Sequence, residues 1–170
     1  MPRDNGKVFE RELLASFKRS GFRAHRISDK MFWSGNRPMS SESEADFWVF
    51  GAAESLSAAL VEAKAVSSAR SLPLDRLQEH QRAALVDFDG FHEDAHGFVA
   101  VNFYDKDDKR SFNTAFLVPI GTWVRFEETM AALGRKSIPY AAFDDEPSVI
   151  KCPRIKGQMY DTDGLKEAML

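Results

Sequence analysis

The sequence predicts one α/β domain over residues 1–170: a mixed β-sheet with helices on both faces and a projecting arm or stalk over residues 28–45. Three observations predict it. A stripe at helical spacing, Phe9, Leu13 and Phe17, precedes the first strand-like run. Apolar runs of strand length then alternate with two further helical stripes, one through Leu77, Leu85 and Phe88 and one through Trp123, Phe126, Met130 and Leu133. A chain of 170 residues, 44% hydrophobic and 29% charged, can also bury one core without covalent staples.

Asp4 or Asn5 is predicted to cap a first helix over about Gly6 to Arg19, which Ser20-Gly21 ends. Glu10 lies at the margin of its apolar stripe, where a carboxylate either turns to solvent or reaches a site. Phe22 to Ile27 reads as a strand, with Arg23, His25 and Ile27 on one side and Phe22, Ala24 and Arg26 on the other. Ser28 to Ala45 is polar but contains Met31, Phe32 and Trp33, together with Lys30 and Arg37, as a projecting hairpin or arm would. Asp46 to Phe50 and Ala58 to Lys64 are the next two strands, joined by a turn over Gly51 to Ser57.

Ala65 to Leu74 is predicted as a loop placed to meet a substrate backbone, with Arg70 in it. Asp75 is expected to cap a second helix with Gln78 at its third position. Gln81 then falls inside the apolar stripe, either as a satisfied core amide or as an orienting group beside Lys64. Gly97 to Tyr104 and Phe112 to Val118 read as strands joined by the turn Asp105 to Arg110. Pro119 to Leu133 reads as a third helix stopped by Gly134. The remainder, punctuated by Pro139, Pro147 and Pro153, is expected to be irregular up to a short helix over Gly164 to Leu170.

Chemistry concentrates at Asp46, Glu62 and Lys64. Residues two apart in a strand share a face, so Glu62 and Lys64 point together, and the turn brings Asp46 back to them. Two carboxylates hold a hard cation such as Mg²⁺ or Mn²⁺, and an ammonium orients water or stabilises a charged phosphate, which is the equipment for metal-assisted phosphodiester hydrolysis. The same residue pattern also describes a surface ion pair. Charge is uneven: nine Lys/Arg face four Asp/Glu in residues 1–40, whereas residues 41–62 hold five acids and no base, within a net charge of −3. That pattern fits a site that attracts phosphates yet binds a cation, and equally a mixed-charge surface. The single cysteine, Cys152, excludes an internal disulfide. Without a signal peptide or an apolar run of membrane-spanning length, a cytoplasmic protein with no membrane partner is expected.

The ordered set Glu10, Asp46 and Glu62-Ala63-Lys64 resembles the active-site signature of the PD-(D/E)XK nuclease superfamily. Four runs in order resemble its RecU-type Holliday junction resolvases: Asn5-Gly6-Lys7-Val8-Phe9-Glu10; Ser71-Leu72-Pro73-Leu74 followed by Glu79-His80-Gln81; Gly134-Arg135-Lys136-Ser137-Ile138-Pro139; and Pro153-Arg154-Ile155. The resemblance implies a restriction-endonuclease-like core and a homodimeric, Mg²⁺- or Mn²⁺-dependent endonuclease that nicks four-way junction DNA symmetrically. Asp46 and Glu62 would be metal ligands with the Ala63 carbonyl, Lys64 the water-positioning group, and Glu10 and Gln81 supporting residues. The arm would enter the junction, and Arg26, Lys30, Arg37 and Arg70 would contact DNA. The chain departs from the pattern at Ala45, where the signature has Pro, and in a slightly long step from Asp46 to Glu62. Another nuclease of the superfamily, with duplex, flap or restriction-type specificity, and a non-catalytic recombination accessory protein stand as the alternatives.

Overall fold

A computed structural model describes residues 5–35, 37–41, 43–51, 56–67, 70–104, 114–155 and 159–170. The expected cap Asp4, residues 52–55 of the turn over Gly51 to Ser57, the turn at 105–110, and residues 156–158 lie outside these residues.

Helix α1 (Asn5–Arg19) leads into β1 (Arg23–Arg26), then β2 (Lys30–Ser34), β3 (Arg37–Ser41), β4 (Phe47–Phe50) and β5 (Ala58–Val66). After β6 (Ser71–Pro73) come α2 (Glu79–Asp89), β7 (Ala95–Phe103), β8 (Thr114–Pro119) and α3 (Ile120–Ala132). The chain closes with β9 (Ser137–Pro139), α4 (Tyr140–Asp145), β10 (Ile150–Cys152), β11 (Arg154–Ile155), β12 (Met159–Tyr160) and α5 (Gly164–Ala168).

Six strands form the central sheet in the order β1-β4-β5-β7-β8-β10. Only β5 and β7 pair in parallel, because α2 lies between them in sequence and crosses one face; the other neighbours are antiparallel. Alternation along the strands divides the core in two. Leu60, Val66, Val99, Val101, Phe116 and Val118 face Leu85 of α2, Trp123 and Phe126 of α3 and Phe143 of α4. Ala59, Val61, Phe98, Ala100 and Leu117 face Phe9, Leu13 and Phe17 of α1 and Leu165 near the C-terminus. This is the helix-flanked mixed α/β sheet that the sequence predicts. Among the described residues, no helix is long and apolar enough to cross a membrane.

Three expectations need correction. The segment before the second helix is not a plain loop: β6 pairs with β9, Leu72 opposite Ile138, and both side chains are fully buried. Asp75 therefore caps nothing in α2. Leu74 to Arg76 make a single 3₁₀ turn, buried Leu77 returns to extended backbone, and the α-helix starts at Glu79 with Gln78 as its cap. Nor is the chain after Gly134 irregular, since β10 completes the sheet against β8 while β11 and β12 form a hairpin. The prolines mark element ends there: Pro139 closes β9 and caps α4. The 28–45 arm contains an antiparallel pair, β2 with β3, separate from the central sheet.

Gly97 shows how closely α2 crosses the sheet. A Cβ there would stand 2.5 Å from the Leu85 carbonyl oxygen and 2.9 Å from Ile120 Cγ2. Backbone cannot yield as a side-chain tip can, so Gly97→Ala is expected to destabilise the fold by about 2 kcal/mol, read as an earlier midpoint in urea unfolding.

Candidate active site

The site forms where β4 begins, at a point along β5 that β4 no longer covers. Asp46 immediately precedes β4; its amide donates to the Val61 carbonyl at 3.1 Å and its carbonyl accepts from the Ile27 amide at 2.8 Å. With the backbone held from both sides, the carboxylate turns along β5 and accepts the Ala63 N–H through Oδ2 at 2.8 Å. Glu62 and Lys64 share the β5 face toward α2, with Lys64 Nζ 2.7 Å from Glu62 Oε1.

Gln81 closes the set. Its Nε2 donates to Glu62 Oε1 at 2.8 Å, and its Oε1 accepts from Lys64 Nζ at 2.9 Å and from the Gln78 amide at 3.2 Å. A neutral amide supplies both the donor and the acceptor that this three-way contact requires. Gln81 is thus a half-buried residue in the first turn of α2, reciprocally capped with Gln78 and four residues before buried Leu85.

Burial dominates the electrostatics. The Glu62 side chain is 5% exposed and that of Lys64 16%. Desolvation, followed by the charge of Asp46, pushes the Glu62 carboxyl from 4.5 up to about 7, against the pull of Lys64. Asp46 is raised as well, again chiefly by burial, while the Ala63 amide and the Lys64 and Arg26 charges oppose the rise. Two desolvated carboxylates thus sit beside one ammonium, an oxygen-rich and under-neutralised donor set that fits a hard divalent cation. Asp46 and Glu62 would hold such an ion with the adjoining Ala63 carbonyl.

Glu10 stands apart from that pair. Its carboxylate meets Arg26 at 2.6 Å. Among the described residues, the one group of three potential ligands within 4.8 Å of each other is His92, Glu93 and Asp94, so Glu10 does not join Asp46 and Glu62 at that distance. Glu10, Arg26, Asp46 and Gln81 do share one cavity of about 400 Å³, with Asp29 and Gln78 also on its wall. Arg37 is exposed on β3, and the Lys30 side chain lies outside the described part of the molecule. Arg70 is exposed just before β6, where its carbonyl accepts from the Tyr140 amide at 2.8 Å, and it does not line the cavity.

The chain is similar in structure to a Holliday junction resolvase. That protein is Hjc of the archaeal hyperthermophile Archaeoglobus fulgidus, with 21% sequence identity, coverage of 69% of this chain and 75% of that one, and a TM-score of 0.44. No family model and no curated protein sequence matches the chain.

Four residues at or near the site are not assigned to it from the sequence. Gln78 lines the cavity and caps the helix that carries Gln81; the pair Gln78/Gln81 at cap and third position is its available signal. Asp29 accepts the Ser43 amide at 3.0 Å, tying together the two ends of the β2–β3 segment, and no pattern announces it. Lys7 and Arg11, one helical turn apart, line a second cavity that shares Glu10 and Arg26 with the first. Their spacing is legible; in the sequence Lys7 belongs to the Asn5-to-Glu10 run and both add to the basic N-terminal charge.

Proposed function

We propose that the chain is a metal-dependent endodeoxyribonuclease of the PD-(D/E)XK type, specifically a RecU-like Holliday junction resolvase acting in DNA recombination and repair. The observation that carries this reading is the closed contact of Glu62, Lys64 and Gln81 beside Asp46, because it joins one buried and one half-buried carboxylate, one cation and one orienting amide. Asp46, Glu62 and the Ala63 carbonyl would hold Mg²⁺ or Mn²⁺, which would supply charge neutralisation of a phosphate and acidification of a water. Asp46 is kept in place by the Ala63 amide. Lys64 holds positive charge where attacking water and the pentacovalent oxygens gather, and Gln81 fixes that ammonium against Glu62. Hydrolysis leaves 5′-phosphate and 3′-hydroxyl ends. Paired incisions in a four-way junction are made most simply by two symmetric sites, hence a homodimer.

The test is cleavage of a synthetic four-way junction beside a linear duplex of the same sequence, with Mg²⁺, with Mn²⁺ and with chelator. Paired, metal-dependent nicks on the junction alone are the expected result. Equal cutting of both substrates would leave a nuclease and remove the junction specificity; tight binding with no cutting would make the chain an accessory protein. Lys64→Ala is expected to slow cleavage by about 100-fold and to leave Mn²⁺ affinity, measured by calorimetry, nearly unchanged.

A further inference from the structure

We infer that Arg154 is a positioning residue for the candidate active site: by clasping Glu12 it sets the roll of α1, and with it the place of Glu10 in the cavity it shares with Asp46. The inference rests on the nuclease reading for what Glu10 does, though not for the clasp. Helix α1 is held from two sides. On one, Glu10 pairs with Arg26 at 2.6 Å and shares the Asp46 cavity. On the other lies the β11–β12 hairpin, which pairs with no strand of the central sheet and places Arg154 opposite Tyr160.

Arg154 Nη2 donates to Glu12 Oε2 at 2.7 Å and to the Tyr160 hydroxyl at 3.2 Å, while its guanidinium lies 5.2 Å from the Tyr160 ring centre. Ser16 Oγ donates to the Glu12 carbonyl at 2.6 Å and accepts the Tyr160 amide at 2.9 Å. Phe9 meets Tyr160 edge-on at 5.6 Å. Glu12 is only 8% exposed, so its carboxylate requires a charged partner, and a planar guanidinium can hold it while stacking on a ring.

Glu10 and Glu12 stand about 200° apart around the helix. Any roll that releases Glu12 therefore sweeps Glu10 across its own side, toward or away from Asp46. This gives a use to Pro153-Arg154-Ile155, a run to which the chemistry at Asp46 and Glu62 assigns none.

A double-mutant cycle on the full chain tests it, read by Mn²⁺ calorimetry and by junction cleavage. Arg154→Ala is expected to weaken Mn²⁺ binding and to slow cleavage by about 10-fold each, with Arg154→Lys in between; in a Glu10→Gln background the same change should cost less than about 2-fold. A residue that only supports the fold would lower the melting temperature and cost the same factor in both backgrounds, which would overturn the proposal. Should Arg154→Ala not fold, Arg154→Lys and Glu12→Gln run the same cycle. A wild type that binds Mn²⁺ yet cuts no DNA would sink the nuclease reading, while the Mn²⁺ cycle would still decide the clasp. A wild type that binds no Mn²⁺ would overturn both.

Discussion

Asp46→Asn and Glu62→Gln are each expected to abolish junction cleavage, by at least about 100-fold, with the fold intact and junction affinity maintained. Each replacement keeps shape and an acceptor oxygen. An asparagine in place of Asp46 can still accept the Ala63 N–H, and a glutamine in place of Glu62 can still accept from Lys64 and Gln81, contacts that now span 2.8 Å and 2.7 to 2.8 Å. What disappears is one negative charge from a pair that burial has already made costly. Without it the donor set no longer calls for a divalent cation, because the remaining carboxylate is balanced by Lys64. DNA is itself anionic, so removing a carboxylate in chelator should leave binding unchanged or tighten it. Gel-shift and cleavage assays on one junction separate the two effects. Near-full activity in either variant would mean that the cation sits elsewhere.

Much of this site can be read before folding because β5 carries its chemistry at the end of an apolar run. Leu60 and Val61 specify a buried strand, and period-two alternation then forces Glu62 and Lys64 to one face. Asp46 is legible for a similar reason, as the acid that opens Phe47-Trp48-Val49-Phe50. The contact of Gln81 with Lys64 is one of the two readings its sequence leaves open, but its place in the helix is not legible. Leu74-Asp75-Arg76 satisfies local capping preferences, yet β6 pairs with β9, and the Lys136 carbonyl accepts the Leu74 amide at 3.0 Å. That long-range tie delays the helix to Glu79 and turns a residue expected in the middle of a stripe into one of its first turn. The strands after Gly134 are hidden because two or three residues are too few to display a period, and their pairing partners lie far away in sequence. Arg154 is the sharpest case: its neighbours Pro153 and Ile155 mark a motif, but only the packing of α1 reveals Glu12 as its partner.

Metal-free protein is expected to lose stability as pH rises from 4.5 to about 7, and Glu62→Gln to remove that loss. Burial raises the folded carboxyl to about 7, whereas an unfolded Glu62 titrates near 4.5. Between those values the folded state binds more protons than the unfolded state, so unfolding free energy falls with rising pH. Below 4.5 both states are protonated and nothing is lost; above about 7 both are ionised and the full cost is present, about 3 kcal/mol. Raised Asp46 acts in the same direction. Asp163 and Glu146, whose values are lowered from 3.8 and 4.5, favour the folded state as pH rises, but below this range. The informative quantity is therefore the difference between wild type and variant in urea unfolding from pH 4 to 8 with chelator present. Glu62→Gln should be the more stable protein at pH 8 and no more stable at pH 4. Adding Mn²⁺ at pH 8 should restore wild type toward the variant and change the variant little, since only the wild type carries the uncompensated charge. A difference that stayed flat across pH would mean that Glu62 ionises without cost, and a carboxylate already at ease in its charged form gives the site no reason to recruit a cation.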